Sequence, residues 1–254
     1  MNSEVALVRS LCLLFFLLAG AAHAGQVQVA VAANMAAPMQ QVAAAFTRAT
    51  GHQAVVVLGS TGKFHAQIVN GAPFEVLLAA DDETPARLER EGHGVAGTRF
   101  TYAIGRLVLW SADPALVDAQ GSVLRQPPRG RLAIADPRVA PYGAAAVEAL
   151  GKLGVLAAWQ PQFAQGESVG QAFQFVASGN APIGFVALAQ VMAEGRINRG
   201  SAWIVPATLH TPLRQDAVLL KAGERNPAAA ALLQYLRSES VRAVLRGYGY
   251  EFPG

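Results

Sequence analysis

Four short polar turns, each set between an apolar run and a helix-like run, hold the residues whose types and spacing suit ligand chemistry. They are Asn34; Ser60-Thr61-Gly62; Pro141-Tyr142-Gly143; and Ser168-Val169-Gly170. A helix start presents backbone N–H groups that its own ladder cannot use, at the positive end of the helix dipole. Several such starts facing one spot form a cradle for an anion. Asn34, Ser60, Thr61 and Tyr142 add neutral side-chain donors, and Val169 adds its N–H. Neutral dipoles suit a dehydrated dianion because a matching buried cation would itself be costly to desolvate. A donor-only site also disfavours a protonated guest, whose extra proton finds no acceptor. The chemistry therefore fits a deprotonated tetrahedral oxyanion. Each turn taken alone reads equally as an ordinary helix cap, with Tyr142 as a half-buried hinge aromatic and Val169 as packing.

Other chemistries fare worse. Lys63 after Gly62 invites a phosphate-loop reading, but Val57 stands where that motif needs its first glycine and Phe64 where it needs Ser or Thr. His52, His65, His93 and His210 lack metal-ligand spacing. Asp81-Asp82 reads as a turn and cap before Glu83-Thr84-Pro85, with an acid pair as the alternative. Arginines are scattered without interleaved aromatics in a chain that is 15% charged with a net charge of +3, which gives a nucleic-acid partner little support.

The elements that must position these turns alternate as in an α/β fold with mainly parallel strands. Strands are expected at 27–33, 54–58, 76–79, 107–110, 132–135, 183–186 and 217–220. Helices are expected at 35–49, 63–69, 143–152 and 170–177, with a last one running from Asn226-Pro227 toward Gly247. The extended pieces Phe100 to Trp110 and Ala202 to Leu220 read as two crossings between lobes, with the ligand cleft between. The expected division is residues 25–103 with 207–254 as the first lobe and 104–206 as the second. Residues 1–24 read as a secretory signal: Arg9, the apolar stretch Leu11 to Leu18, then small residues through Ala22-His23-Ala24. The only cysteine, Cys12, falls inside it, so the exported part is expected to lack disulfides and cysteine metal ligands. Export without disulfides points to a bacterial periplasm and to about 230 residues held together by their core.

Longer stretches carry a resemblance. They are Val31-Ala32-Ala33-Asn34; Gly59-Ser60-Thr61-Gly62-Lys63-Phe64 with Ala66-Gln67-Ile68; Gly71-Ala72-Pro73-Phe74; Ala79-Ala80-Asp81; Gly130 to Pro137; Ala181-Pro182-Ile183-Gly184; and Val244-Leu245 to Tyr248-Gly249-Tyr250. Over nearly the whole exported chain they resemble the periplasmic molybdate-binding proteins, the substrate-binding components of molybdate ABC transporters. The resemblance implies a two-lobed periplasmic binding protein fold of the type II kind. Such a protein closes as a monomer on molybdate or tungstate and delivers it to an inner-membrane permease driven by an ATPase. It implies no catalysis, no cofactor and no direct protein ligand to the metal. The oxyanion-binding residues it implies are Asn34, Ser60 or Thr61 with Thr61 preferred, Tyr142, and Val169 through its N–H. Asn34 replaces the serine or threonine of many relatives, and Ala187 stands where some place a tyrosine donor. Competing readings are capture of sulfate or another small oxyanion, a secreted enzyme using Asp81, Asp82 or Lys63, and a sensor that signals on closure.

Overall fold

The computed structural model describes residues 24–253. The expected signal at residues 1–24 lies, but for its last residue, outside the described residues. Among the described residues no helix is long and apolar enough to cross a membrane.

The strands are β1 (Gln26–Ala32), β2 (Gln53–Gly59), β3 (Val76–Leu78), β4 (Phe100–Gly105), β5 (Leu107–Ser111), β6 (Leu132–Ala135), β7 (Phe163–Gly166), β8 (Ile183–Ala187), the small hairpin β9 (Met192–Ala193) and β10 (Arg196–Ile197), β11 (Ser201–Ile204) and β12 (Leu213–Leu219). The helices are α1 (Ala36–Thr50), α2 (Thr61–Val69), α3 (Glu83–Arg90), α4 (Pro141–Lys152), α5 (Leu156–Trp159), α6 (Val169–Ala177), α7 (Pro227–Leu236) and α8 (Glu239–Gly247). One five-stranded sheet has the order β2-β1-β3-β12-β4 and the other β11-β5-β8-β6-β7. Each forms one lobe, and the chain passes between them twice, at Arg106 and between Ile204 and Leu213.

Helix-covered strands are buried on both faces, which explains why β6 and β8 read as unbroken apolar runs, LAIA and IGFVA. On α1 the buried Met39, Val42 and Phe46 recur at helical spacing, and the helix ends where Gly51 takes a left-handed φ of 76°.

The sheets are mixed rather than mainly parallel. β1 pairs in parallel with β2 and β3, and β6 with β7 and β8. Within the two five-stranded sheets the antiparallel pairs all involve the strands flanking the crossings: β12 with β3 and β4, and β5 with β8 and β11. A strand that arrives from the other lobe, rather than over a local helical crossover, is free to run the opposite way. The expected single final helix is also two. It breaks at Arg237-Ser238, where the Ser238 hydroxyl accepts the N–H of Val241 at 3.4 Å and starts α8 afresh.

Ala32, Ala33 and Ala80 of the first lobe share a buried cluster with Leu107, Ile134, Tyr142 and Val169 of the second, so the lobes meet. The start of α4 lies tight on the end of β6: a Cβ on Gly143 would stand 2.2 Å from the carbonyl oxygen of Ala135. Gly143→Ala is expected to lower unfolding free energy by about 1 to 3 kcal/mol, the scale of an overpacked core, as read by chemical denaturation.

Candidate functional site

The starts of α2, α4 and α6, and the 3-10 turn Ala33–Met35 that leads into α1, converge between the lobes. They line a cavity of about 10 Å³. Its walls are Ala32, Ala33, Asn34, Gly59, Ser60, Thr61 and Ala80 from the first lobe and Ala140, Pro141, Tyr142 and Val169 from the second. No charged side chain lines it. All five residues expected at the oxyanion site are on this wall, and each is 4% exposed or less. Thr61 and Val169 are the first residues of their helices and Tyr142 the second, so none of their N–H groups is taken by its own helix.

Ser60 stands apart from the other serines and asparagines at helix starts. Ser168, Asn226 and Ser238 each accept a first-turn N–H with the side chain, as a cap does. Ser60 occupies the same position before α2 and caps nothing. Its Oγ is buried without a hydrogen-bond partner among the described residues. The neighbouring Thr61 Oγ1 accepts the N–H of Ala80 at 2.9 Å and keeps its own proton. Ser60 thus carries a hydroxyl with no partner at all, and Thr61 one whose proton is still available to donate.

Behind the cavity lies a buried polar network. Asn34 Nδ2 donates to Gln215 Oε1 at 2.9 Å and to Tyr250 Oη at 2.8 Å, while Tyr250 donates to the Asn34 carbonyl at 3.1 Å. The Asn34 amide therefore gives its protons to the first lobe, contrary to the expectation of a side-chain donor, and its Oδ1 is left without a partner among the described residues. Gln215 Nε2 donates to Tyr142 Oη at 3.0 Å. Tyr102 Oη lies 2.9 Å from both Gln215 Oε1 and the carbonyl of Ala79. Burial pushes the phenols of Tyr102, Tyr142 and Tyr250 above their ordinary range, so all three stay protonated donors.

Direct contacts hold the lobes together. The N–H of Gly62 donates across the cleft to the carbonyl of Val139 at 2.9 Å. A Cβ on Gly62 would stand 2.9 Å from Val139 Cα. Lys63 pairs with Glu167 of the other lobe, both side chains largely in water.

The candidate enzymatic groups sit elsewhere. Asp81 and Asp82 line a wider groove of about 390 Å³ beside the cavity, and Lys63 lines neither. Asp81 accepts from the N–H and the hydroxyl of Thr84. Burial raises its pKa, helped by the charges of Asp82 and Glu83, against the Thr84 bonds that lower it. The described residues contain no group of three or more His, Cys, Asp or Glu placed to hold a metal. Ala187 is buried at the end of β8 and does not line the cavity.

Residues 27–251 match the family described as bacterial extracellular solute-binding protein. The chain belongs to that family. It is 56% identical over 234 residues to the molybdate-binding protein ModA of Azotobacter vinelandii, covering 92% of this chain and 93% of that one. It is 49% identical over 229 residues to ModA of Rhodobacter capsulatus, covering 90% and 89%. The solved periplasmic molybdate-binding protein of Azotobacter vinelandii superposes with a TM-score of 0.87 at 40% identity, over 90% of this chain and all of that one.

For this solute-binding protein, sequence reading missed Gln215 and the small wall residues Ala32, Ala33, Gly59 and Ala140. Alanine and glycine carry no chemical signal of their own. Gln215 had one: Arg214-Gln215-Asp216 interrupts an apolar strand with three polar residues in a row. Ser60→Ala is expected to leave the ligand-free protein as stable or slightly more so, since it deletes an unpartnered hydroxyl. It should weaken anion binding by about 1.5 to 3 kcal/mol, the scale of a hydrogen bond to a charged group. Ser168→Ala should do the reverse, losing about 1 kcal/mol of stability as a cap and leaving affinity alone. Thermal melting and calorimetric titration of both variants separate the two roles.

Proposed function

We propose that this solute-binding protein captures molybdate between its lobes in the periplasm and hands it to an inner-membrane ABC permease for import. Export would use the signal read at residues 1–24, and the protein would act as a monomer. It binds and releases its guest without making or breaking a bond in it, and it needs no cofactor. The observation that carries this reading is the Ser60 hydroxyl, buried and unpartnered on an uncharged wall formed by both lobes. A buried hydroxyl without a partner is costly, and an oxyanion oxygen supplies the acceptor. The N–H groups of Thr61, Tyr142 and Val169, aided by helix dipoles, complete the cradle. The Tyr142 hydroxyl accepts from Gln215 and retains its own proton for the guest. The names of the relatives at 56% and 49% identity support molybdate as that guest.

Tungstate, a tetrahedral dianion of the same kind, is expected to bind as well. Calorimetric titration with molybdate, tungstate, sulfate and phosphate tests the proposal. Saturable heat with the first two and none with the last two is the expected result. Silence with molybdate would remove the proposal, and saturation by sulfate alone would transfer the site to that anion. Tyr142→Phe should cost about 1 to 2 kcal/mol of molybdate affinity, and an unchanged titration would assign that hydroxyl to the wall alone.

A further inference from the structure

Gln215 is the most completely enclosed polar side chain near the cavity, at 0% exposure, yet it does not line it. It belongs to β12, the strand by which the chain re-enters the first lobe. Its one amide reaches both lobes. Through Oε1 it accepts from Asn34 of the first lobe, and through Nε2 it donates to Tyr142 at the start of α4 in the second. Both partners form cavity wall.

Two backbone features serve this contact. The pairing of β12 with β4 shifts register between Gln215 and Asp216, in a strand that is buried from Gln215 through Leu219. Such a bulge re-aims side chains. Asp216 turns to Arg99 and Thr101, which leaves Gln215 to face the other lobe. At the crossing itself, Gly105 has no side chain to obstruct the pair. A Cβ there would stand 2.2 Å from Tyr142 Oη and 2.4 Å from Gln215 Nε2. The amide is also chemically particular, because the site needs an acceptor toward Asn34 and a donor toward Tyr142 on one planar group. Glutamate offers only acceptors and lysine only donors.

We propose that Gln215 is a positioning residue that couples lobe closure to assembly of the anion cradle, tying the Asn34 turn to the start of α4 at the hinge. This rests on reading the cavity as the anion site. When the lobes part, the Gln215–Tyr142 bond breaks and the α4 N–H groups leave the cradle. When they close, the same bond places them.

The test combines Gln215→Met, Tyr142→Phe and the double variant. If Gln215 acts through Tyr142, Gln215→Met weakens molybdate binding by about fivefold or more, as expected for one buried hydrogen bond. Adding Gln215→Met to Tyr142→Phe then costs little further, because the hydroxyl through which Gln215 acts is already gone. Losses that multiply, or a Gln215→Met protein that binds as the wild type does, would overturn the proposal. Closure is read separately, without anion, from the distance between labels on Arg48→Cys and Asn180→Cys in a Cys12→Ser background. Gln215→Met should shift that distribution toward longer distances, and an unshifted one overturns the coupling. Because this arm needs no ligand, a wild-type protein that ignores molybdate would end the functional proposal and leave the coupling tested. Should Gln215→Met fail to fold, Gly105→Ala displaces the same contact and carries the same expectations.

Discussion

The structure turns on the problem of holding a doubly charged guest in a place without water. An ion stripped of its hydration must be offered dipoles that already point at it, or it stays in solution. At the proposed anion site the dipoles on offer are the free N–H groups of helix starts and one serine hydroxyl with nothing else to bind. No lysine or arginine contributes to the wall, so no second buried charge has to be desolvated. A wall built this way also leaves the protein with an unsatisfied oxygen when the cleft holds no guest. That local cost ties the stability of the closed form to its ligand.

Close approach of backbones is the second requirement, and it accounts for the small residues. Ala32, Ala33, Ala80 and Ala140 let the turns come near enough to share one guest. Gly62 lets α2 touch Val139 directly, and Gly143 lets α4 sit on the end of β6. The Lys63–Glu167 pair also spans the cleft, but both side chains are largely in water, where such pairs contribute little. The lobes therefore meet chiefly through two backbone hydrogen bonds, Gly62 to Val139 and Gly195 to Gly247, with the alanine contacts and the buried polar network around Gln215. Burial keeps three tyrosine hydroxyls of this network protonated as donors, which fits a site that must offer hydrogen bonds rather than negative charge.

Much of this was readable before any coordinates. Apolar periodicity located the inner strands, and glycine and proline marked most helix ends, because those signals depend on local sterics and on which faces are buried. Strand direction was harder. The antiparallel β12 and β5 owe their orientation to the lobe from which the chain arrives, and no short window of residues encodes that. The break at Ser238 was visible as a serine before Glu239, yet it was hidden by helix-forming residues on both sides.

By itself, the sequence determined that four donor-bearing turns would stand at helix starts, since residue type and local backbone preference decide that much. Only the tertiary structure decided what each donor does. Ser60 and Ser168 occupy equivalent positions, and one hydroxyl is free while the other caps its helix. Asn34 gives its amide protons to Gln215 and Tyr250, residues far along the chain. Whether a polar atom is spent or available depends on its neighbours in space, and those are set when the two lobes close.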